Sequence, residues 1–213
     1  KRAVFVDDVT AMPADLPPTS GNSSARFLAM NLDMERQIHE IAAVCDYVQG
    51  LKKSPKQLWL SFDEWNVWYR ARSGDAVDGH RTFAPHLLEE VYNLEDALLV
   101  GGFLNSLMRQ SDRVKMACLA QLVNVIAPLA TNETGLLKQT TYYPYFWALK
   151  YARGRVLDLA VESETYPIKP DGLQPDLAWG GDVPFVDVAA TTDPQSNQVC
   201  VFMLNRDLQN ERE

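Results

Sequence analysis

Apolar residues recur at three- and four-residue spacing in two long stretches, and this periodicity predicts two amphipathic helices. The first stretch spans residues 32–51, and Asn31 or Asp33 is suited to cap its amino end. The second follows Asn93, another typical N-cap residue. Its predicted apolar face consists of Leu94, Ala97, Leu98, Gly101, Leu104, Leu107 and Met108. Both helices should therefore pack one face against the rest of the chain.

Shorter apolar runs alternate with these helices. Residues 57–62 are bounded by polar residues and are long enough for one buried strand. Residues 114–126 fit either a strand followed by a loop or a helix. A third helix is expected at 145–153, because Pro144 suits its first turn and Gly154 lies just beyond its end. This alternation is typical of a parallel α/β sheet or barrel.

The pattern changes beyond Arg155. Short β-branched runs at 183–189 and 199–204 are separated by Gly, Pro and Asp residues, and no helical period continues. We therefore expect a domain boundary near residue 155. The α/β part would occupy residues 1–155, and an all-β module would begin at 156 and continue to 213.

Composition and charge narrow the range of partners. The chain has 213 residues, 46% of them hydrophobic, so it can bury a sizeable core. Its formal charge of -8, without a basic run, predicts no nucleic-acid partner. No apolar run reaches about 18 residues, so no membrane association is expected. The cysteines, Cys45, Cys118 and Cys200, are odd in number and widely spaced, which favours a reducing, cytoplasmic location over a disulfide framework.

Two acidic residues stand side by side where the 57–62 strand is expected to end. Asp63 and Glu64 are followed by Trp65 and Trp68, and side chains alternate along a strand, so only one carboxylate can enter a shared cavity. Strand ends carry catalysis in α/β barrels. Indole faces pack against sugar C–H groups, and a carboxylate can attack an oxocarbenium-like centre. The same residues are equally compatible with solvated or Arg-paired carboxylates and core aromatics.

Other polar and aromatic residues are candidates for ligand contact. Gln121 and Asn124 can either orient ligand hydroxyl groups or cap backbone groups in a buried turn. The aromatic run 142–147 has helical spacing, which favours core packing. Only Tyr142 and Tyr143 are therefore considered for a position near a site.

The sequence predicts neither a metal nor a cofactor. His39, His80 and His86 lack metal-ligand spacing. The chain contains neither a G-x-S-x-G nucleophile elbow nor a phosphate-binding G-x-x-x-x-G-K loop. Gly101 and Gly102 lie inside a helical pattern, where they are expected to permit close helix packing.

Three motifs in a fixed order carry a family resemblance. They are S-F-D-E-W-N-V-W-Y at 61–69, M-A-C-L-A-Q-L-V-N-V-I-A-P-L at 116–129 and Y-Y-P-Y-F-W-A-L-K-Y-A-R-G at 142–154. From about residue 25 onward the chain resembles glycoside hydrolase family 51, the α-L-arabinofuranosidases. The resemblance implies the C-terminal part of a (β/α)8 TIM barrel, followed by the start of a jelly-roll-like β-sandwich.

The resemblance also implies roles for individual residues. Glu64 matches the family's catalytic nucleophile at the end of the seventh barrel strand. Trp68 matches an aromatic residue that lines the sugar pocket, and Gln121 matches a residue that hydrogen-bonds the arabinose. Asp63 has no catalytic counterpart and is expected to hold neighbouring structure. The implied activity is retaining, exo-acting release of terminal arabinofuranosyl units from arabinoxylan, arabinan or their oligosaccharides.

One catalytic group of the family has no match in this chain. The acid/base is the Glu of an N-E pair upstream of the nucleophile, whereas the N-E pairs here, at 132–133 and 210–211, lie downstream of it. We therefore expect activity to need a further N-terminal barrel segment, and the family suggests a homo-oligomer. Two alternatives remain: a non-catalytic sugar-binding or structural fragment or pseudoenzyme, and an endo-glucanase of the same family.

Overall fold

The computed structural model describes residues 3–5, 9–11, 23–68, 89–168 and 180–212. The helices in these ranges are α1 (Ser23–Leu28), α2 (Met30–Leu51), α3 (Leu94–Arg109) and α4 (Tyr142–Tyr151). The strands are β1 (Ala3–Phe5), β2 (Val9–Ala11), β3 (Trp59–Val67), β4 (Val114–Leu119), β5 (Leu129–Thr131), β6 (Leu136–Lys138), β7 (Arg155–Val156), β8 (Thr165–Ile168), β9 (Gly181–Pro184), β10 (Val186–Asp193) and β11 (Gln198–Asn205). None of the described helices is long and apolar enough to cross a membrane.

Strand β3 is the centre of a four-stranded parallel sheet. On one side β1 pairs with residues 59–61 and β2 with residues 65–67, and on the other side β3 pairs with β4. The predicted helix–strand alternation is confirmed from α2 to α4, and residues 114–126 form a strand followed by a loop. Because the paired strands run in one direction, the carboxyl ends of β3 and β4 lie at the same edge of the sheet.

A hydrophobic core lies between this sheet and the helices. Its buried members are Phe27, Leu28, Met30, Met34, Ile38, Leu60, Phe62, Trp65, Val67, Tyr92, Leu99, Val100, Phe103, Leu107 and Val114. Trp65 packs edge-on against Phe103, with ring centroids 6.1 Å apart. Full burial of one large apolar side chain contributes about 1.5–3 kcal/mol, so this cluster fixes the position of β3.

The two long helices are confirmed, but their caps differ from expectation in one case. Asn93 caps α3, and its side chain forms a capping box with Asp96. The prediction that Asn31 or Asp33 caps α2 is wrong, because both lie inside the helix and are buried, and Ala29 occupies the cap position. Asn31 is used for tertiary hydrogen bonds instead. Sequence spacing does not distinguish these two uses of an asparagine.

The predicted apolar face of α3 is only partly correct. The residues of α3 buried in the core are Leu99, Val100, Phe103 and Leu107, of which only Leu107 belongs to the predicted set. Two further members of that set, Leu98 and Leu104, are partly buried and pack against the core. Most of the other predicted residues, from Leu94 to Met108, line a groove of about 610 Å³ between α3, α4 and β11. Both sides of this helix are therefore apolar, and periodicity alone selected the less buried one.

The expectation that residues 142–147 pack in the core is wrong for most of them. Trp147 is 52% exposed, and Tyr143 and Phe146 are also exposed. Tyr145 alone packs against the core, with its ring centroid 6.1 Å from that of Trp65. Helical spacing shows which residues share a face, but it does not show whether another element covers that face.

The glycine pair in α3 behaves as predicted at its second member. A Cβ atom on Gly102 would lie 3.1 Å from Cγ of Asn31, so glycine permits the close approach of α2 and α3. At Gly101 a Cβ atom would make an ordinary contact of 3.8 Å with Cβ of Pro144. Close helix packing is thus confirmed at Gly102.

The C-terminal part consists mainly of strands. β10 and β11 form an antiparallel pair from Val186↔Asn205 to Asp193↔Gln198, and β7 joins the free side of β10. β8 and β9 form a separate antiparallel pair. The predicted strand at 183–189 is divided into β9 and β10 at Phe185.

A buried polar network joins α2 and α3 to this antiparallel sheet. Asp187 on β10 accepts hydrogen bonds from Arg206 at 2.6 Å and from Arg109 at 3.0 Å. The amides of Asn105 and Asn31 also donate to it, at 2.8 and 3.1 Å. Burial by itself would raise the pKa of Asp187, but the two guanidinium groups together lower it to about 2. The network therefore fastens the helical layer to the sheet.

Replacing Gly154 by alanine is expected to destabilise the protein by about 1–3 kcal/mol. Gly154 has a φ of +80°, and a Cβ atom there would lie 2.1 Å from the carbonyl oxygen of Thr192. Gly50→Ala is the matched control, because a Cβ atom at Gly50 in α2 has nothing within 4 Å. That variant should be neutral or more stable by up to about 1 kcal/mol. Urea unfolding measures both, and equal midpoints would contradict the prediction.

Candidate active site

The adjacent carboxylates lie in different environments within β3. The sequence placed Asp63 and Glu64 where the strand ends. The strand instead extends to Val67, so both residues lie inside it. The pairing with β4 shifts register between Phe62 and Trp65, so the two acids occupy an irregular part of the strand. Asp63 is half-buried and accepts a short hydrogen bond from the hydroxyl of Ser61.

The Glu64 side chain is exposed. Among the described residues, none forms a hydrogen bond or ion pair with its carboxylate. The described structure therefore assigns Asp63 a local partner and leaves Glu64 open to a ligand. This difference agrees with the expectation that Asp63 holds neighbouring structure.

The aromatic residues after Glu64 divide in the same way. Trp65 is buried in the core, whereas Trp68 is half-buried and follows directly after β3. Trp68 thus lies at the carboxyl end of the strand that carries Glu64. Tyr69, His80 and His86 lie outside the described residues.

Gln121 follows the end of the neighbouring strand. Leu119 of β4 pairs with Trp65, and the Ala120 N–H donates to the Trp65 carbonyl oxygen at 3.2 Å. The peptide bond between Ala120 and Gln121 is cis. The Gln121 side chain is exposed, and its amide has no hydrogen-bond partner among the described residues. Gln121, just after β4, therefore lies beside the part of β3 that carries Glu64 and Trp65.

Asn124 takes the structural role that was left open for it. Its side-chain oxygen accepts the Thr131 N–H at 2.7 Å, and its amide donates to the Thr131 hydroxyl at 3.1 Å. Asn124 adopts a φ of +65°, which asparagine tolerates better than most residues. It shapes the loop between β4 and the β5–β6 hairpin.

One buried residue at this edge was not singled out from the sequence. Asn66 is 3% exposed, and its amide donates to the carbonyl oxygens of Ala120, at 2.8 Å, and Ile126. Its own side-chain oxygen accepts the Val67 N–H at 2.8 Å. A polar residue between Trp65 and Val67 in an otherwise buried run was the available signal, since a buried amide requires partners.

Two further buried groups hold the same edge. The Tyr92 hydroxyl donates to the Val67 carbonyl oxygen at 2.6 Å, and burial raises the pKa of Tyr92. Gln139 accepts the Tyr92 N–H and donates to the carbonyl oxygens of Glu90 and Ala127. The chain before α3 and the loop after β4 are thus joined to the end of β3.

A cavity of about 1200 Å³ lies elsewhere, between α3, β4, α4 and β10. Glu64, Trp68 and Gln121 do not line it. The residues that line this cavity belong to the layer between the helices and the two sheets. Its large size therefore does not identify it as the catalytic site. Within the described ranges, no group of three or more His, Cys, Asp or Glu residues is arranged to hold a metal ion.

An exposed carboxylate, an indole and an amide near the carboxyl edge of a parallel sheet, followed by a strand-rich region, are typical of glycoside hydrolases with an α/β catalytic fold. The sequence model of a family described as Alpha-L-arabinofuranosidase C-terminal domain matches residues 63–210. The chain belongs to this family, as the C-terminal part of a glycoside hydrolase family 51 α-L-arabinofuranosidase.

Relatives of known name agree with this assignment. An intracellular exo-α-(1→5)-L-arabinofuranosidase from Halalkalibacterium halodurans is 43% identical over 183 residues, which cover 85% of this chain and 35% of the relative. The enzyme of the same name from Acetivibrio thermocellus is 41% identical over 192 residues, covering 88% of this chain and 36% of the relative. The chain thus spans about a third of the length of these relatives.

Solved structures show the same fold. A family 51 α-L-arabinofuranosidase from Bifidobacterium longum superposes with a TM-score of 0.77 at 34% identity, over 94% of this chain and 38% of that structure. The Thermotoga maritima α-L-arabinofuranosidase, solved as an arabinose complex, gives a TM-score of 0.66 at 26% identity, over 89% of this chain and 36% of that structure. These neighbours and the strands after α4 fit a C-terminal β-sandwich domain.

Proposed function

We propose that the whole protein is a retaining, exo-acting α-L-arabinofuranosidase that releases terminal arabinofuranosyl units from arabinoxylan, arabinan or their oligosaccharides. The observation that carries the proposal is the exposed Glu64, which has no partner among the described residues and lies on β3 beside the loop that begins at Gln121. The names of the relatives support the substrate, since both are exo-α-(1→5)-L-arabinofuranosidases.

Glu64 is the proposed nucleophile. Its carboxylate attacks the anomeric carbon, the bond from that carbon to the leaving oxygen breaks, and a second carboxyl group protonates the leaving oxygen. The second group then takes a proton from water, which attacks the same carbon and releases Glu64. Two inversions at one carbon give net retention. The two carboxyl groups must lie about 5–5.5 Å apart.

We infer that the second carboxyl group lies in the part of the whole protein that these 213 residues do not cover. The match extends over only about 35% of the relatives' length, which leaves room for a further barrel segment. The candidates within the chain are poorly placed. Glu133 lies in the turn between β5 and β6, and Glu211 follows β11, so neither follows a strand of the parallel sheet.

Trp68 and Gln121 are proposed to bind the sugar. The half-buried indole of Trp68 offers an apolar face to sugar C–H groups. The Gln121 amide carries both donors and an acceptor, so it can hydrogen-bond a hydroxyl group of the arabinofuranosyl unit. Trp68 directly follows β3, the strand that carries Glu64, and Gln121 follows the neighbouring strand β4.

For the architecture, we propose that residues 1–155 are the C-terminal part of a (β/α)8 barrel and that residues 156–213 begin the β-sandwich. β3 and β4 would be the last two barrel strands, and β7 at 155–156 already pairs with β10. The relatives' names support an intracellular location. The family resemblance supports a homo-oligomer, which light scattering on the whole protein tests.

Mass spectrometry tests the proposal on the whole protein. After exposure to a mechanism-based arabinofuranosyl inactivator, the label should reside on the peptide that contains Glu64. The same protein should cleave an aryl α-L-arabinofuranoside much faster than an aryl β-glucoside or a glucan. A label on another residue would contradict the assignment of Glu64 as the nucleophile. Activity on glucan would indicate an endo-glucanase. Inactivity on both the arabinofuranoside and the glucan would indicate a sugar-binding or structural protein.

A further inference from the structure

We propose that Asn66 is a positioning residue that sets the place of Gln121 relative to Glu64, an inference that rests on the proposed function. Asn66 lies on β3 two residues after Glu64, and its side chain crosses to the loop that follows β4. It reaches no ligand itself, because it is buried. Its effect on sugar binding is therefore transmitted through the backbone of Gln121.

The hydrogen bonds of Asn66 enclose the peptide group of Gln121. One is donated to the Ala120 carbonyl, which is bonded directly to the Gln121 nitrogen. The other is donated to the Ile126 carbonyl, which also accepts the Gln121 N–H at 3.4 Å. Asn66 thus holds both carbonyl groups next to that nitrogen.

An asparagine suits this position for a chemical reason. Its amide has two donor hydrogens for the two carbonyl groups, while its oxygen accepts the Val67 N–H. Aspartate would present only acceptors to the carbonyls, and alanine would remove the side-chain donor from both, leaving the Ile126 carbonyl with only the long hydrogen bond from the Gln121 N–H. No other described side chain donates to the carbonyl groups of Ala120 and Ile126.

The alternative is that Asn66 only stabilises the fold. The two roles differ kinetically. General destabilisation reduces the amount of active protein, which lowers the apparent kcat and leaves KM unchanged. Displacement of Gln121 weakens a sugar contact in the folded enzyme, which raises KM. The two roles also differ in whether the effect of an Asn66 substitution depends on Gln121. Only a positioning role predicts such a dependence, because interacting sites show non-additive effects.

The test is a double-mutant cycle in the whole protein, with kcat and KM measured on an aryl α-L-arabinofuranoside. Asn66→Ala should raise KM about tenfold, as the loss of one neutral hydrogen bond does. In the Gln121→Ala background, the same change should raise KM by less than about threefold. Asn105→Ala is the matched control, since Asn105 is an equally buried amide at 3% exposure, outside the proposed site. It should lower thermal stability and leave KM within about twofold.

Asn66→Ser, which keeps one donor, is the second variant and should raise KM less than alanine does. Equal effects of Asn66→Ala with and without Gln121, or a loss confined to kcat as in Asn105→Ala, would overturn the positioning role while the enzyme remains active. The role is also overturned if neither variant folds, because Asn66 is then an inseparable core residue. An inactive unmodified protein would instead overturn the proposed function, and the role of Asn66 with it.

Discussion

Replacing Glu64 by glutamine in the whole protein is expected to lower kcat on an aryl α-L-arabinofuranoside by on the order of 10⁴-fold or more. The amide has nearly the shape of the carboxylate but cannot form the glycosyl-enzyme ester. Glu64 is exposed and has no partner among the described residues, so the substitution should cost little stability. Steady-state kinetics together with a urea denaturation curve separate the two effects.

Asp63→Asn is the matched control for this prediction. The two residues are adjacent and undergo the same chemical change, but Asp63 is engaged by the Ser61 hydroxyl. Its substitution should lower kcat by less than about tenfold. A second check is Glu64→Ala with added azide, which can attack the anomeric carbon from the vacated side and give an arabinofuranosyl azide of inverted configuration. Comparable losses in the Asp63 and Glu64 variants would contradict the assignment of Glu64.

Asp187→Asn is expected to destabilise the protein by about 3–5 kcal/mol, as the loss of one partner from a buried ion pair does. The substitution leaves the Arg206 guanidinium, which is fully buried, without its carboxylate. It also removes one of the two carboxylates that contact Arg109 in the described part of the chain. Asp182→Asn serves as the control, because Asp182 is exposed on β9 and its loss should change stability by less than about 0.5 kcal/mol. Urea denaturation compares the variants, and similar curves would contradict the prediction.

The same carboxylate predicts a pH dependence. The folded pKa of Asp187, about 2, lies below its ordinary value of 3.8, so its stabilisation is complete above pH 4. It is lost as the pH falls from about 4 to 2, and the loss amounts to about 2 kcal/mol. The Asp187→Asn variant should lack this part of the acid dependence. Urea denaturation of both proteins between pH 5 and 2 measures the difference.

Much of the α/β part could be predicted, because its elements are local. The 32–51 periodicity found α2, and the Asn93 cap fixed the first residue of α3 to within one position. The strand at 57–62 was found but ended five residues too early, since Asp63 and Glu64 interrupt the apolar run. Parallel pairing resumes at Trp65, with β2 on one side of β3 and β4 on the other, and residue composition does not report pairing.

The site was predictable only in part, for a similar reason. Glu64, Trp68 and Gln121 were proposed from motifs, and the structure brings Glu64 and Gln121 to one sheet edge while their roles stay predictions. Asn66 was overlooked because its side chain hydrogen-bonds to carbonyl groups about sixty residues later in the chain. Asn31 was assigned to a helix cap because a cap needs only local neighbours, whereas its actual partners lie on α3 and β10.

Arg206 is synthesised long after the residues that it contacts. Its guanidinium donates to the Leu28 carbonyl oxygen and to the Asn31 side chain, across a sequence separation of 178 residues for the first contact. At about 5–20 residues per second, a ribosome adds that length in roughly 10 to 35 s. For that interval the start of α2 is synthesised but lacks its last partner. The polar side of the helix therefore stays without these hydrogen bonds until the antiparallel sheet has formed. The helical layer should become fully resistant to proteases only when residues near 206 have left the ribosome.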